Sequence, residues 1–127
     1  MIIKTPVSLG ELVDKISILN IKNSNIKDEV KLKFIREEMD ILIKTLDEHI
    51  TKDKIQIYLD SLIEINSKLW VIEDKIRDCE RNNNFDQKFV DLARSVYFTN
   101  DKRSQVKLNI NNKFGSKIVE VKSYEKY

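Results

Sequence analysis

The residues best able to do chemistry in this chain lie in ARSVYFTNDKRSQVKLNIN, residues 93–111. On a continuous helix, positions 92, 96, 99, 103, 106 and 110 share one face, so Thr99 and Arg103 stand in line with Leu92, Val96, Val106 and Ile110. Tyr97, Asp101 and Arg94 flank that line, and Asn100 follows Val96 by one turn. A partly buried guanidinium requires an acceptor, because an unpaired charge in apolar surroundings commonly costs several kcal/mol. The acceptors expected from the sequence are Glu73 and Asp74 in LWVIEDKIRDCE. Three readings of this belt follow. It is an interhelical salt-bridge network that sets register. Or it is an anion or small-molecule pocket, with Arg103 and Lys102 as ligands and Tyr97 and Asn100 orienting the guest. Or the helix breaks at Thr99–Asp101 in an Asx-type turn. The candidate ligand-binding set is Lys15, Glu73, Arg94, Tyr97, Asn100, Asp101 and Arg103.

Other reactive types are sparse. His49 is the single histidine, and no Ser, Cys or second His stands at a spacing that would make it a general base. Cys79 is the single cysteine and falls on an apolar seam, where a thiol packs as a small hydrophobe. The acidic pairs Glu37, Glu38 and Glu73, Asp74 are adjacent residues that diverge on a helix, so no metal site and no cofactor are expected. Trp70, Tyr97 and Phe98 read as core aromatics rather than a stacking platform. The free backbone N–H groups of Ser8, Leu9 and Gly10 offer an anion site in principle, although Glu11 already supplies negative charge there.

Helices must position these residues. Ser8 and Glu11 form a capping box, with Val7 and Leu12 as its hydrophobic staple, and a first helix runs from there to about Asn25. Leu32, Ile35, Met39, Leu42 and Leu46 mark a second helix, from about Asp28 to Ile50. Thr51 or Asp53 caps a third, whose seam is Tyr58, Leu62, Ile65, Leu69, Ile72, Ile76 and Cys79. The short link predicts a long antiparallel hairpin of helices two and three. Ile55, Leu59, Ile63 and Trp70 give helix three a second apolar face, so it is expected to be central or to meet a second subunit. Asp86 opens helix four, and Gly115 closes it. SKIVEVKSY reads as a short strand, with MIIKT as its partner in a terminal ribbon.

Composition sets the class. The chain has 127 residues, 35% of them charged, and only two Gly and one Pro, which points to one all-α domain over residues 1–127. Its 23 basic and 21 acidic residues are interspersed, leaving no basic footprint for nucleic acid. No apolar run is long enough for a membrane span, and with one cysteine the chain reads as cytoplasmic.

VSLGELVDKISILNIK, LWVIEDKIRDCE, FVDLARSVYFTNDKRSQVKLNIN and EVKSY together resemble a bacterial family of short proteins of unknown function, often encoded beside glycosyltransferase and other surface-polysaccharide genes. The resemblance spans nearly the whole chain and brings no reaction with it. It implies an accessory role beside a protein partner in glycan biosynthesis. It also marks Ser8, Glu11, Lys15, Glu73, Asp74, Arg94, Tyr97, Asn100, Asp101, Arg103, Lys122 and Tyr124 as members of the recognisable blocks. A second, architectural likeness is to helical chorismate mutases. The run of arginines that opens their first helix is missing, since positions 11–22 carry only Lys15 and Lys22 as cations. Two functions are therefore expected in competition. One is a non-catalytic interaction or accessory protein that forms a homodimer. The other is a small-molecule or anion-binding protein, including an enzyme acting on a sugar phosphate or small carboxylate.

Overall fold

The computed structural model describes residues 1–127 as four α-helices: α1 (Leu9–Asn25), α2 (Glu29–Asp47), α3 (Lys52–Arg81) and α4 (Gln87–Phe114). Their ends follow the local chemistry. The Ser8 hydroxyl accepts from the Glu11 N–H, Asp28 accepts from the Val30 and Lys31 N–H groups, and Asp86 accepts from the Lys88 N–H. Gly115 ends α4 in the left-handed region at φ 67°, which lets the Ser116 N–H return to the Asn111 carbonyl. Thr51 precedes α3 without a side-chain cap bond. Helix α4 is unbroken through Thr99–Asp101, which removes the Asx-turn reading of the belt.

The main core gathers Leu12, Val13 and Ile16 of α1, Leu46 of α2, Ile55 and Leu62 of α3 and Ile110 of α4. Tyr58 and Phe114 close one end of it edge to face, with ring centroids 5.7 Å apart. A smaller cluster, Leu19, Leu32 and Ile35, zips α1 to α2.

Three expectations need correction. Helices α2 and α3 do not form a long packed hairpin. Both feed the main core near their shared turn, through Leu46 and Ile55, but α2 lies along α1 while α3 lies along α1 and α4. The heptad stripe of α2 fitted any apolar neighbour, and α1, joined to it by an equally short link, takes that place. The central helix is accordingly α1, which packs on α2, α3 and α4. The terminal ribbon does not form either. Residues 1–8 and 116–127 contain no strand, and the C-terminal tail is held to α4 by side chains instead. A two-stranded ribbon needs a surface to cover, and the helices already satisfy one another.

Candidate functional site

The geometry around Arg103 begins with small and polar residues on α1. Gly10, Asp14 and Ser17 recur at helical spacing and share a face turned toward α3 and α4. Gly10 is where α4 comes closest. A Cβ there would stand 2.5 Å from the Lys107 carbonyl oxygen, and the Gly10 N–H instead donates to Asn111 Oδ1 at 2.7 Å. With the backbones this close, Arg103, Lys107 and Asn111, spaced by four along α4, all face α1.

Asp14 is the hub. It is 1% exposed, and its Oδ1 accepts from Arg103 Nε at 3.0 Å and from Asn66 Nδ2 at 2.9 Å. Its Oδ2 accepts from Arg103 Nη2 at 2.5 Å, giving the paired two-bond geometry that suits a guanidinium to a carboxylate. Asn66 Nδ2 also donates to Ser17 Oγ at 2.7 Å, and that hydroxyl in turn donates to the Asp14 carbonyl at 2.6 Å. Lys107 lies beside this group. Its Nζ meets Glu11 at 2.7 Å, Glu120 of the tail at 2.9 Å and Asp14 at 3.9 Å. Lys122 completes the network on Glu120 at 2.6 Å. Three carboxylates, Asp14, Glu11 and Glu120, thus balance three cations, Arg103, Lys107 and Lys122. No buried side-chain nitrogen or oxygen is left without a partner.

The electrostatics follow the contacts. The hydrogen bonds to Asp14 raise the Arg103 guanidinium further above its usual range, against the opposing effect of burial. Burial pulls the Lys107 ammonium down, but the hydrogen bonds to Glu11 and Glu120, together with the charge of Asp14, outweigh it and hold it above its usual value. Glu120, held first by Lys122 and then by Lys107, drops to about 2.

Beside this network, and sharing Lys107, Glu120 and Lys122 with it, α4 forms a groove with the returning tail, of about 1090 Å³. Tyr97, Asn100, Asp101 and Ser104 form the helix wall, and Glu120, Lys122, Tyr124 and Tyr127 form the tail wall. Tyr127 donates its phenol to Asp101, which pushes that phenol up to about 12, and its ring lies 5.3 Å from Tyr97 and 5.0 Å from Phe98. This groove offers aromatic faces, an amide, hydroxyls and charges that are mostly paired.

The seven residues singled out in the sequence are thus distributed among separate surroundings. Tyr97, Asn100 and Asp101 share the groove. Arg103 turns away from it to Asp14, and not to Glu73 or Asp74 as expected. Glu73 is exposed and pairs with Arg77 one turn along α3, at 2.9 Å. Lys15 is exposed on α1, and Arg94 stacks over Phe98 at 5.9 Å. The backbone N–H groups at the start of α1 are taken by the protein itself: Leu9 by Ser116 Oγ at 3.3 Å, Gly10 by Asn111 and Glu11 by Ser8. His49 is exposed in the turn after α2, and Cys79 is buried. No group of three or more His, Cys, Asp or Glu side chains converges on a point suited to a metal ion.

Asp14, Ser17, Asn66, Lys107, Asn111 and Glu120 carry most of the network and were not singled out in the sequence. One signal for them was present. Gly10, Asp14 and Ser17 form a small polar stripe beside the apolar stripe of α1, and Arg103, Lys107 and Asn111 repeat every fourth residue on α4. Glu11 and Asp14 on the one helix meet Lys107 and Arg103 on the other.

No curated protein and no solved structure matches the chain. Residues 3–127 match the sequence pattern of a single family, and the chain belongs to that family of unknown function, DUF6165.

Proposed function

We propose that this protein is a non-catalytic helical interaction protein that works as a homodimer and as an accessory to a protein partner. One observation carries the reading. The charged belt that would have to receive a ligand is occupied by the protein's own groups, with Arg103 on Asp14 and Lys107 among Glu11, Glu120 and Asp14. Meanwhile large apolar side chains, Val30, Phe34 and Ile41 of α2 among them, lie on the surface with nothing over them. Polar groups closed on themselves hold a shape, and uncovered apolar groups make contacts. The resemblance described above implies that the partner belongs to surface-glycan assembly.

The test is the concentration dependence of thermal unfolding. A protein that folds and associates together gains stability by mass action, so its Tm rises with protein concentration. Arg103→Met lowers Tm by the same amount at every concentration, because the belt is remote from the contact. A Tm independent of concentration over a hundredfold range, about 2.7 kcal/mol of mass action in the limit of tight association, refutes the reading.

The groove supports a second reading, in which Tyr97, Asn100 and Asp101 bind a sugar phosphate or small carboxylate. Its volume is of ligand size. Against it, the cations of the groove wall are already engaged, Lys107 by Glu11 and Glu120 and Lys122 by Glu120. A thermal-shift panel of nucleotide sugars, phosphosugars and carboxylates decides: a hit abolished by Asn100→Ala supports it, and none across the panel refutes it.

A further inference from the structure

The side of α2 turned away from α1 carries a stripe of its own. Val30 is 68% exposed, Phe34 66% and Ile41 48%. Together with Glu37 they follow steps of four, three and four residues, the spacing of a helix-packing seam, and they lie opposite the buried stripe of Leu32, Ile35 and Leu46. No other helix of the chain lies along this face: α2 runs along α1 and meets the rest of the core near its C-terminal end, through Leu46 on the opposite side.

Charge along α2 is uneven in a way that selects an occupant. Around its start stand Lys27, just before the cap, and Lys31, Lys33 and Arg36 on the helix, against Asp28, engaged as the helix cap, and Glu29 in the first turn, so this half is net basic. The second half carries Glu37, Glu38, Asp40, Asp47 and Glu48 against a lone Lys44. Such a stripe is the complement of itself turned end for end. A two-fold axis across the middle of the helix sets each basic half on an acidic half, whereas parallel pairing sets like on like.

Building on the association proposed above, we infer that the outward face of α2 docks a second copy of this chain, antiparallel, about an axis near Phe34 and Glu37. Val30 packs beside the partner's Ile41, and Phe34 fills the centre. Lys33 meets the partner's Glu37, and Lys31 meets the partner's Glu38. Phe34 is the anchor, being the largest uncovered side chain nearest the axis.

Two charge-reversed full-length proteins test this, Lys31→Glu with Lys33→Glu and Glu37→Lys with Glu38→Lys. All four positions are exposed and off the buried seam, and circular dichroism verifies that the helices persist. In sedimentation velocity each variant alone shows a dimer dissociation constant raised about tenfold or more. An equimolar mixture of the two recovers association, and so does the variant carrying all four reversals. Phe34→Ala weakens association in every pairing. A wild-type dimer indifferent to all of these changes overturns the α2 surface and leaves association itself standing. Weakening that mixing does not rescue overturns the antiparallel arrangement. A wild-type chain that stays monomeric overturns this surface and the function proposed above together.

Discussion

Replacing Arg103 by Met keeps most of the side-chain volume and removes the guanidinium from Asp14. The cost follows from what is left behind. Asp14 is 1% exposed and loses two hydrogen bonds, of 3.0 and 2.5 Å, keeping only Asn66 at 2.9 Å and a distant Lys107 at 3.9 Å. Breaking a buried ion pair on one side costs about 3–5 kcal/mol, and an exposed pair costs about 0–1 kcal/mol. The Arg103 side chain is 28% exposed, so part of its charge is hydrated and the pair falls at the lower end, about 3 kcal/mol. Asp14→Asn keeps the shape and leaves a cation that can turn to water, so about 2 kcal/mol is expected. Because each single change strands the other partner, the double variant costs less than the sum, by about 1–2 kcal/mol. Urea unfolding followed by far-UV circular dichroism measures all four proteins. A cost below about 1 kcal/mol for Arg103→Met, or strict additivity in the double variant, refutes the view that Asp14 and Arg103 form a desolvated, mutually dependent pair.

Three further outcomes follow from the same geometry. Gly10→Ala puts a methyl group 2.5 Å from the Lys107 carbonyl, a backbone atom that cannot turn aside; α1 and α4 must separate, and stability falls by about 2–3 kcal/mol in the same urea assay. Ser8→Ala removes the α1 cap bond to the Glu11 N–H and lowers stability by about 1 kcal/mol in that assay. Glu120 titrates at about 2 in the folded chain against 4.5 when free, so its contribution is complete above pH 4.5 and is lost as pH falls toward 2. Cleavage of the tail by an acid-stable carboxypeptidase should therefore accelerate through that window, and Glu120→Gln should show the fast rate already at neutral pH.

Much of the architecture was legible because it is local. Ser8, Asp28, Asp86 and Gly115 each satisfy backbone groups within a few residues of themselves, and each marks a helix end as expected. Which helices become neighbours is not local. The α2 stripe specifies that Leu32 and Ile35 are buried, but α1 and α3 would cover them equally well, and α1 does through Leu19. Of the belt on α4 only Arg103 enters the network, and its acceptor is Asp14 rather than Glu73 or Asp74. Glu73 follows Leu69 by one turn and lies beside the seam in sequence yet projects to solvent, and the acceptor, Asp14, is buried between Val13 and Ile16 of the α1 core face. Glu120 escaped for a different reason. A tail that suggested a strand serves instead as an extended arm, attached at Lys107 and Asp101.

The association proposed from the uncovered face of α2 is the central claim, and sedimentation equilibrium of the chain measures it most directly. The expected result is a concentration-dependent mass approaching twice the 15.0 kDa of one chain. A mass that remains at 15.0 kDa across the accessible concentration range contradicts it.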